Sequence, residues 1–195
     1  MAKVTACDVP EGSLLAEFGG PGDYRDCFMR EVPNTNGRDV SLADFIERFY
    51  GSAAFLPERG LLKLLGTRAS RADARALARG EADRFGAWKL VERREHNVED
   101  EVAEHGPEGS ARATARPQAR EGRGNRSADA LRKKRLTEIL LHSKDTNTAS
   151  WFAVEPLQGG SRLLFGSWVG GIEQSGWRAM LRAHVWYSKV LLGAV

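Results

Sequence analysis

Two histidines and two polar neighbours are the residues of this sequence best suited to acid–base chemistry. His184 lies in an apolar stripe, with Tyr187 one turn further along, and the unperturbed pKa of histidine is close to neutrality. His142 and Asp145 lie near the end of a predicted strand, where they can form an acid–base pair around a substrate. A buried core histidine also explains His184, and a solvated turn also explains His142 and Asp145, so both interpretations stay open.

Signatures of other chemistries are absent from the sequence. It contains no serine nucleophile elbow, no phosphate-binding glycine loop and no His-Glu-x-x-His zinc motif. Gly19–Gly22 lacks the preceding strand and following helix of a dinucleotide turn, and His96 and His105 form no ligand set with nearby acids. Cys7 and Cys27 have no metal-ligand spacing and are expected to be free, reduced thiols. We therefore predict neither a metal site nor a cofactor.

The segment from Ser175 to Val195 is predicted to be an amphipathic helix that positions His184. Its apolar stripe recurs at three- and four-residue steps and comprises Trp177, Met180, His184, Tyr187 and Leu191. Arg178, Arg182 and Lys189 fall mostly outside this stripe and argue against a membrane span. We expect a helix that docks on the rest of the chain, with an interfacial helix as the less favoured alternative.

Two helices are predicted to follow the first strand, Asp23–Val32, and a third can form after them. The first begins at a capping-box pattern and runs from Ser41 to Gly51. Pro57 opens a second, short helix with apolar surface nearly all round, which Gly66 ends. The third, Ser70–Arg79, has Leu77 as its only large apolar residue, so we expect it to lie on the surface.

The remaining pattern is extended and predicts an antiparallel meander. Trp88 and Leu90 alternate with Lys89 and Val91 in the first of its strands. The four predicted strands are Gly86–Glu95, Glu138–Ser143, Ala149–Glu155 and Arg162–Gly170. Together with the helices they predict an α+β protein whose curved antiparallel sheet wraps around a long C-terminal helix, with two helices after the first strand.

Length and composition are those of one globular domain with an insertion. The chain has 195 residues, of which 42% are hydrophobic and 28% charged, enough to bury a single core. Met1–Pro10 contains no apolar run of signal-peptide length. We therefore expect an intracellular, cytoplasmic protein with no transmembrane segment.

The basic character of the chain is concentrated between residues 97 and 136. From Gly106 to Arg135 there are nine Lys or Arg against three Asp or Glu, whereas the whole chain has a net charge of +3. The segment is poor in large apolar residues and therefore predicts a disordered, low-complexity insertion in a single domain, residues 1–195. Nonspecific binding to nucleic acid or to an anionic surface is one possible role. The segment offers no aromatic residue between Gly106 and Leu136 on which a base can stack.

Several local patterns resemble a known family. They are Gly22-Asp23-Tyr24-Arg25-Asp26, the run DTNTASWFAV from Asp145 to Val154, the strand RLLFGSWV and the closing HVWYSKVLL. With the order of elements, they resemble a bacterial domain-of-unknown-function family of START-like, polyketide-cyclase-like (SRPBCC) helix-grip type. The resemblance covers residues 3–96 and 137–195. Members of that family resemble single domains or the C-terminal partner of an NAD(P)-binding, short-chain-dehydrogenase-like domain, so it implies an NAD(P)-binding oxidoreductase as a candidate partner.

The resemblance implies a cavity between the sheet and the C-terminal helix that holds a hydrophobic small molecule. The expected wall comprises Trp88, Trp151, Phe165, Trp168, Met180, His184 and Tyr187. Plain core packing is the alternative role of these aromatic residues. An enzyme of the cyclase or dehydratase kind is the second functional hypothesis, with His184, Tyr187, His142 and Asp145 as catalytic candidates. It requires at least two of them to converge on one cavity.

Overall fold

Seven antiparallel strands form one curved, open sheet in the computed structural model, which describes residues 3–34, 37–64, 69–98, 134–171 and 177–195. The strands are β1 (Thr5–Ala6), β2 (Tyr24–Pro33), β3 (Arg84–Phe85), β4 (Trp88–Val98), β5 (Lys134–Ser143), β6 (Thr148–Leu157) and β7 (Gly160–Val169). Their order across the sheet is β1-β2-β7-β6-β5-β4-β3. Strands β3 to β7 are a meander, of which the sequence predicted the four strands β4 to β7. Strand β2 pairs with β7 from Tyr24 opposite Val169 to Pro33 opposite Gly160.

Five helices accompany the sheet within the described part of the chain. They are α1 (Leu14–Glu17), α2 (Leu42–Gly51), α3 (Leu56–Leu64), α4 (Arg71–Arg79) and α5 (Trp177–Gly193), with a short 3₁₀ turn, Ala53–Phe55, between α2 and α3. The predicted capping box of α2 is present, since Ser41 and Asp44 bind each other's backbone N–H groups. Gly80 ends α4 in the left-handed conformation, with φ of 76°.

The sheet is covered on both faces because successive side chains of a strand point to opposite sides. One face, here called the α5 face, carries Phe28, Phe152 and Phe165 and packs against α2 and α5. The opposite face, here called the α1 face, carries Trp151 and Trp168 and packs against α1. Strand β6 is buried on both sides, so its adjacent aromatic residues, Trp151 and Phe152, belong to different hydrophobic cores.

A buried carboxylate fixes α1 on its face of the sheet. Glu138 of β5 is fully buried, and its Oε2 accepts hydrogen bonds from the backbone N–H of Leu14 at 3.0 Å and from Nε1 of Trp151 at 2.6 Å. The first of these donors belongs to the N-terminal turn of α1, where backbone N–H groups have no partner within the helix. Glu138 therefore connects the sheet to a helix that is too short to be stable alone.

Two predictions need correction. Helix α4 lies at the surface with Arg71, Arg75 and Arg79 exposed, but its inner side is buried more deeply than predicted. Ala74, Leu77 and Ala78 are buried, because the small alanines let this side approach α2 closely. The predicted insertion is shorter than residues 97–136, since Asn97 and Val98 belong to β4 and Lys134–Leu136 belongs to β5. Residues 99–133, with most of the basic segment, lie outside the described residues.

The C-terminal helix is held at its end by a side chain from β2. Nη1 of Arg30 lies 3.2 Å from the carbonyl oxygen of Leu192 and 2.7 Å from that of Gly193. These carbonyl oxygens lack hydrogen-bond partners within the helix. A positive charge beside them is also attracted to the negative end of the helix dipole. Leu191 and Leu192 are buried, whereas Trp186 is 66% exposed. None of the described helices combines the length and apolar character that crossing a membrane requires.

Candidate functional site

A cavity of about 140 Å³ lies between the α5 face of the sheet and α5. Strands β4, β6 and β7 form its floor, and residues of α2, α3 and α5 border it. Its aromatic lining comprises Phe49, Tyr50, Phe55, Trp88, Phe165 and Tyr187. Its polar lining comprises Glu58, Thr148, Ser150, Ser167, His184 and Ser188. An apolar wall with a few polar groups is typical of sites that bind small molecules.

Trp88 lines this cavity and carries a buried hydrogen-bond donor. Its Nε1 is buried and has no hydrogen-bond partner within the part of the chain that the structure describes. A buried donor without a partner costs about 1–3 kcal/mol of folding free energy. A ligand that accepts a hydrogen bond from this N–H therefore removes this cost, which the unliganded protein bears.

Tyr187 and Glu58 form a second polar group in the cavity wall. The Tyr187 hydroxyl lies 3.1 Å from Oε2 of Glu58 and 3.3 Å from the carbonyl oxygen of Ala54. Burial raises the pKa of Glu58, although the hydrogen bond with Tyr187 opposes this shift. A hydroxyl has only one proton to donate. Both contacts are satisfied together when Glu58 is protonated and donates to the tyrosine oxygen.

His184 contacts a buried acid on β2. Nε2 of His184 lies 3.7 Å from Oδ2 of Asp26, whose side chain is only 8% exposed. Asp26 also accepts hydrogen bonds from the Tyr24 hydroxyl at 3.1 Å and from the backbone N–H of Ser167 at 3.0 Å. Burial lowers the pKa of His184 and raises the pKa of Asp26, while the attraction between the two groups opposes both shifts. Burial therefore favours the neutral form of each group.

Four of the predicted wall residues line the cavity together: Trp88, Phe165, His184 and Tyr187. Met180 lies in α5, but its side chain lies outside the described residues. The prediction that Trp151 and Trp168 line the cavity is wrong, because both residues belong to the α1 face. Their Nε1 groups donate to Glu138 at 2.6 Å and to Asp23 at 3.1 Å. The alternation of β6 and β7 directs both indoles away from α5.

His142 and Asp145 do not converge with His184 and Tyr187. The His142 ring lies on the α1 face, with its centroid 5.2 Å from that of Phe18 and 5.8 Å from that of Trp168. His142 and Asp145 both line an open cleft of about 480 Å³ beside β3 and β4. No hydrogen bond joins these two described side chains. Burial, and then the charge of Lys144, lower the pKa of His142.

Asp26 and Glu58 also belong to the site, although neither was predicted from the sequence. Asp26 stands between Tyr24 and Phe28 at two-residue spacing on β2, and an acid on the apolar side of a strand was a usable signal. Glu58 had no comparable signal, because an acid in the first turn of a helix is ordinary. Among the described residues, no group of three or more His, Cys, Asp or Glu is arranged to hold a metal ion.

Comparisons with protein-family models, with curated proteins and with solved structures find no match to this chain. The START-like resemblance therefore stays a prediction from local sequence patterns and from the order of the elements. What the site can do follows from its own geometry. It can enclose a small apolar molecule, donate a hydrogen bond from Trp88, and offer a neutral imidazole backed by Asp26.

Proposed function

We propose that this protein is a START-like, helix-grip module that binds a small, mainly apolar molecule in the cavity between the sheet and α5. The observation that carries the proposal is the buried Nε1 of Trp88, a donor without a described partner on a residue that lines the cavity. The architecture supports it, because β2 pairs with β7 and α5 contacts β2. In that arrangement α5, together with α2, packs on one face of the curved sheet.

The size of the cavity limits the ligand to about one ring. An apolar cavity of about 150 Å³ in another protein accommodates benzene, and this cavity measures about 140 Å³. A ligand built on one ring of about six atoms is therefore the expected class. A charged ligand is disfavoured, because burying an unpaired charge costs far more than one hydrogen bond returns.

A carbonyl oxygen is the group that best complements Trp88. The indole N–H only donates, so its partner must be an acceptor. We therefore expect a cyclic ketone or aldehyde to bind better than a hydrocarbon of the same shape. The predicted oxidoreductase partner fits this class, since such enzymes interconvert carbonyls and alcohols; it remains a proposal.

Cyclohexanone and methylenecyclohexane test the proposal, because they share one ring and differ mainly in one group. This group is C=O in the ketone and C=CH₂ in the hydrocarbon. Calorimetry is expected to show tighter binding of the ketone. Trp88→Phe should weaken ketone binding about 5- to 10-fold, the effect of one hydrogen bond, and leave the hydrocarbon unchanged. Trp186→Phe is the matched control, since Trp186 is exposed on α5.

A substitution that fills the cavity tests whether the ligand binds there. Ser188 is buried on α5 and lines the cavity, whereas Ala183 is exposed on the same helix. Ser188→Leu should abolish binding of both molecules, and Ala183→Leu should not. Equal binding by wild type, Ser188→Leu and Trp88→Phe would refute the cavity as the binding site.

The contact between His184 and Asp26 favours a second candidate function, dehydration of a β-hydroxy ketone in the same cavity. His184 would take a proton from the carbon next to the carbonyl, and protonated Glu58 would give its proton to the departing hydroxyl, which leaves as water. With 3-hydroxycyclohexanone, the enone product absorbs in the ultraviolet. His184→Gln should then lower the rate about 10²- to 10⁴-fold, whereas His142→Gln on the α1 face should not. Equal rates in His184→Gln and wild type would exclude this function.

A further inference from the structure

The two cysteines of the chain, 20 positions apart in sequence, face each other between β2 and the chain that follows the edge strand β1. Thr5 lies opposite Met29 and Ala6 opposite Phe28, which places Cys7 opposite Cys27. The backbone N–H of Cys7 donates to the carbonyl oxygen of Cys27 at 3.0 Å. Their sulfur atoms are 2.9 Å apart, closer than unbonded sulfurs in van der Waals contact.

We propose that Cys7 and Cys27 are a redox-active pair that forms a reversible disulfide between the chain leading from β1 and strand β2. Directly opposite residues of antiparallel strands have Cα atoms about 4.5–5.5 Å apart, which lies within the range that a disulfide spans. Only a small sulfur movement is needed, because both side chains already point toward each other. Both cysteines are free thiols in the structure, as expected from the sequence, and the proposal concerns what these neighbouring thiols do on oxidation.

The surroundings of the two thiols assign the first step to Cys7. Cys7 is half-buried, whereas Cys27 is only 3% exposed, so an oxidant reaches Cys7 first. The hydrogen bond with Cys27 lowers the pKa of the Cys7 thiol, although burial opposes this shift. The same hydrogen bond, together with burial, raises the pKa of Cys27. The thiolate is the nucleophile in thiol oxidation.

A hydroperoxide is the chemical class of oxidant that the pair would take. The Cys7 thiolate attacks one peroxide oxygen, which gives a sulfenic acid and releases the other oxygen as an alcohol or water. Cys27 then attacks the Cys7 sulfur, and the sulfenic oxygen leaves as water. The two thiols lose two electrons and two protons in total, and the peroxide is reduced by the same two electrons. A dithiol reductant reverses the reaction by exchange.

The disulfide would stabilise the segment that carries α1. The loop between the cysteines contains Leu14 and Leu15, which are buried on the α1 face. Closing it removes freedom from the unfolded chain. For a loop of this length in a chain of this size, we expect Tm to rise by about 5–10 °C on oxidation.

Intact mass spectrometry of the full chain with and without hydrogen peroxide tests the proposal. Wild type should lose the mass of two hydrogen atoms and regain it with dithiothreitol. Tryptic digestion without reductant should link the peptide Val4–Arg25 to Asp26–Arg30. Cys7→Ser, treated identically, should show neither change and no rise in Tm, which also controls for methionine oxidation.

Three results would overturn the proposal. The first is a wild-type protein that gains oxygen at cysteine without losing hydrogen. The second is a disulfide that joins two chains, visible as a dimer on non-reducing electrophoresis. The third is oxidised wild type whose Tm matches that of reduced wild type. Cys27→Ser separates the two roles, because Cys7 should then stop at the sulfenic acid, which dimedone traps.

Discussion

Nε2 of His184 lies 3.7 Å from Oδ2 of Asp26, and the two residues come from opposite ends of the chain. The distance is longer than a hydrogen bond, so attraction between the groups competes with burial and does not override it. Burial pushes the pKa of His184 down and that of Asp26 up. The cavity therefore has a neutral imidazole in its wall at neutral pH.

The imidazole of His184 is expected to titrate below the ordinary histidine value of about 6.5. Asp26→Asn should lower the pKa of His184 further, because the variant removes the attraction that favours the charged form and leaves burial in place. NMR titration of the histidine ring protons measures both values, with His184→Gln to assign the signal. A His184 pKa that rises in Asp26→Asn would contradict this account.

Stability should fall in wild type relative to His184→Gln as the pH is lowered through about 6.5. In that window the unfolded chain binds a proton at His184 that the folded protein does not, which favours unfolding. The raised pKa values of Asp26 and Glu58 act in the opposite direction, since the folded state binds protons more readily there. Thermal unfolding of both proteins between neutral pH and mildly acidic pH isolates the histidine contribution.

Glu138→Leu is expected to destabilise the protein by about 3–5 kcal/mol. The change leaves two buried donors, the N–H of Leu14 and Nε1 of Trp151, without their acceptor, at about 1–3 kcal/mol each plus local strain. Urea unfolding measures the difference. Glu95→Leu on β4 is the matched control, because the Glu95 side chain is 56% exposed and its ion pair with Arg135 contributes less than about 1 kcal/mol.

Two glycine-to-alanine variants should change stability in opposite directions. A Cβ at Gly166 would lie 2.4 Å from Cδ2 of Leu15 and 2.8 Å from the backbone oxygen of Asp26, so Gly166→Ala should cost about 1–3 kcal/mol. A Cβ at Gly60 in α3 meets nothing within 4 Å. Gly60→Ala should therefore stabilise by about 0.5–1 kcal/mol. Urea unfolding compares the two, and a stabilising Gly166→Ala would show that α1 does not pack on β7 as described.

Much of the fold was predictable because its signals are local. The capping box at Ser41 and the glycine stop at Gly80 act within a few residues of the chain, so α2 and α4 were found with nearly correct ends. The alternation and turns of strands β4 to β7 likewise predicted the meander. The depth of α4 was missed, because alanine is small enough to be buried or exposed with little change in pattern.

The sequence by itself determined the longer helices and strands, though not α1 or β3, and that His184, Tyr187 and several aromatic residues lie in apolar stripes. Only the tertiary structure decided which stripe faces which core. Strands buried on both faces lack polar alternation, so Trp151 and Phe152 look alike in sequence although they point to opposite sides. His184 meets Asp26 because the last strand of the meander, β7, pairs with β2 and the following helix α5 packs against β2. Cys7 meets Cys27 because the chain at β1 pairs with β2. Such long-range pairing depends on packing of the whole chain, which no local pattern specifies.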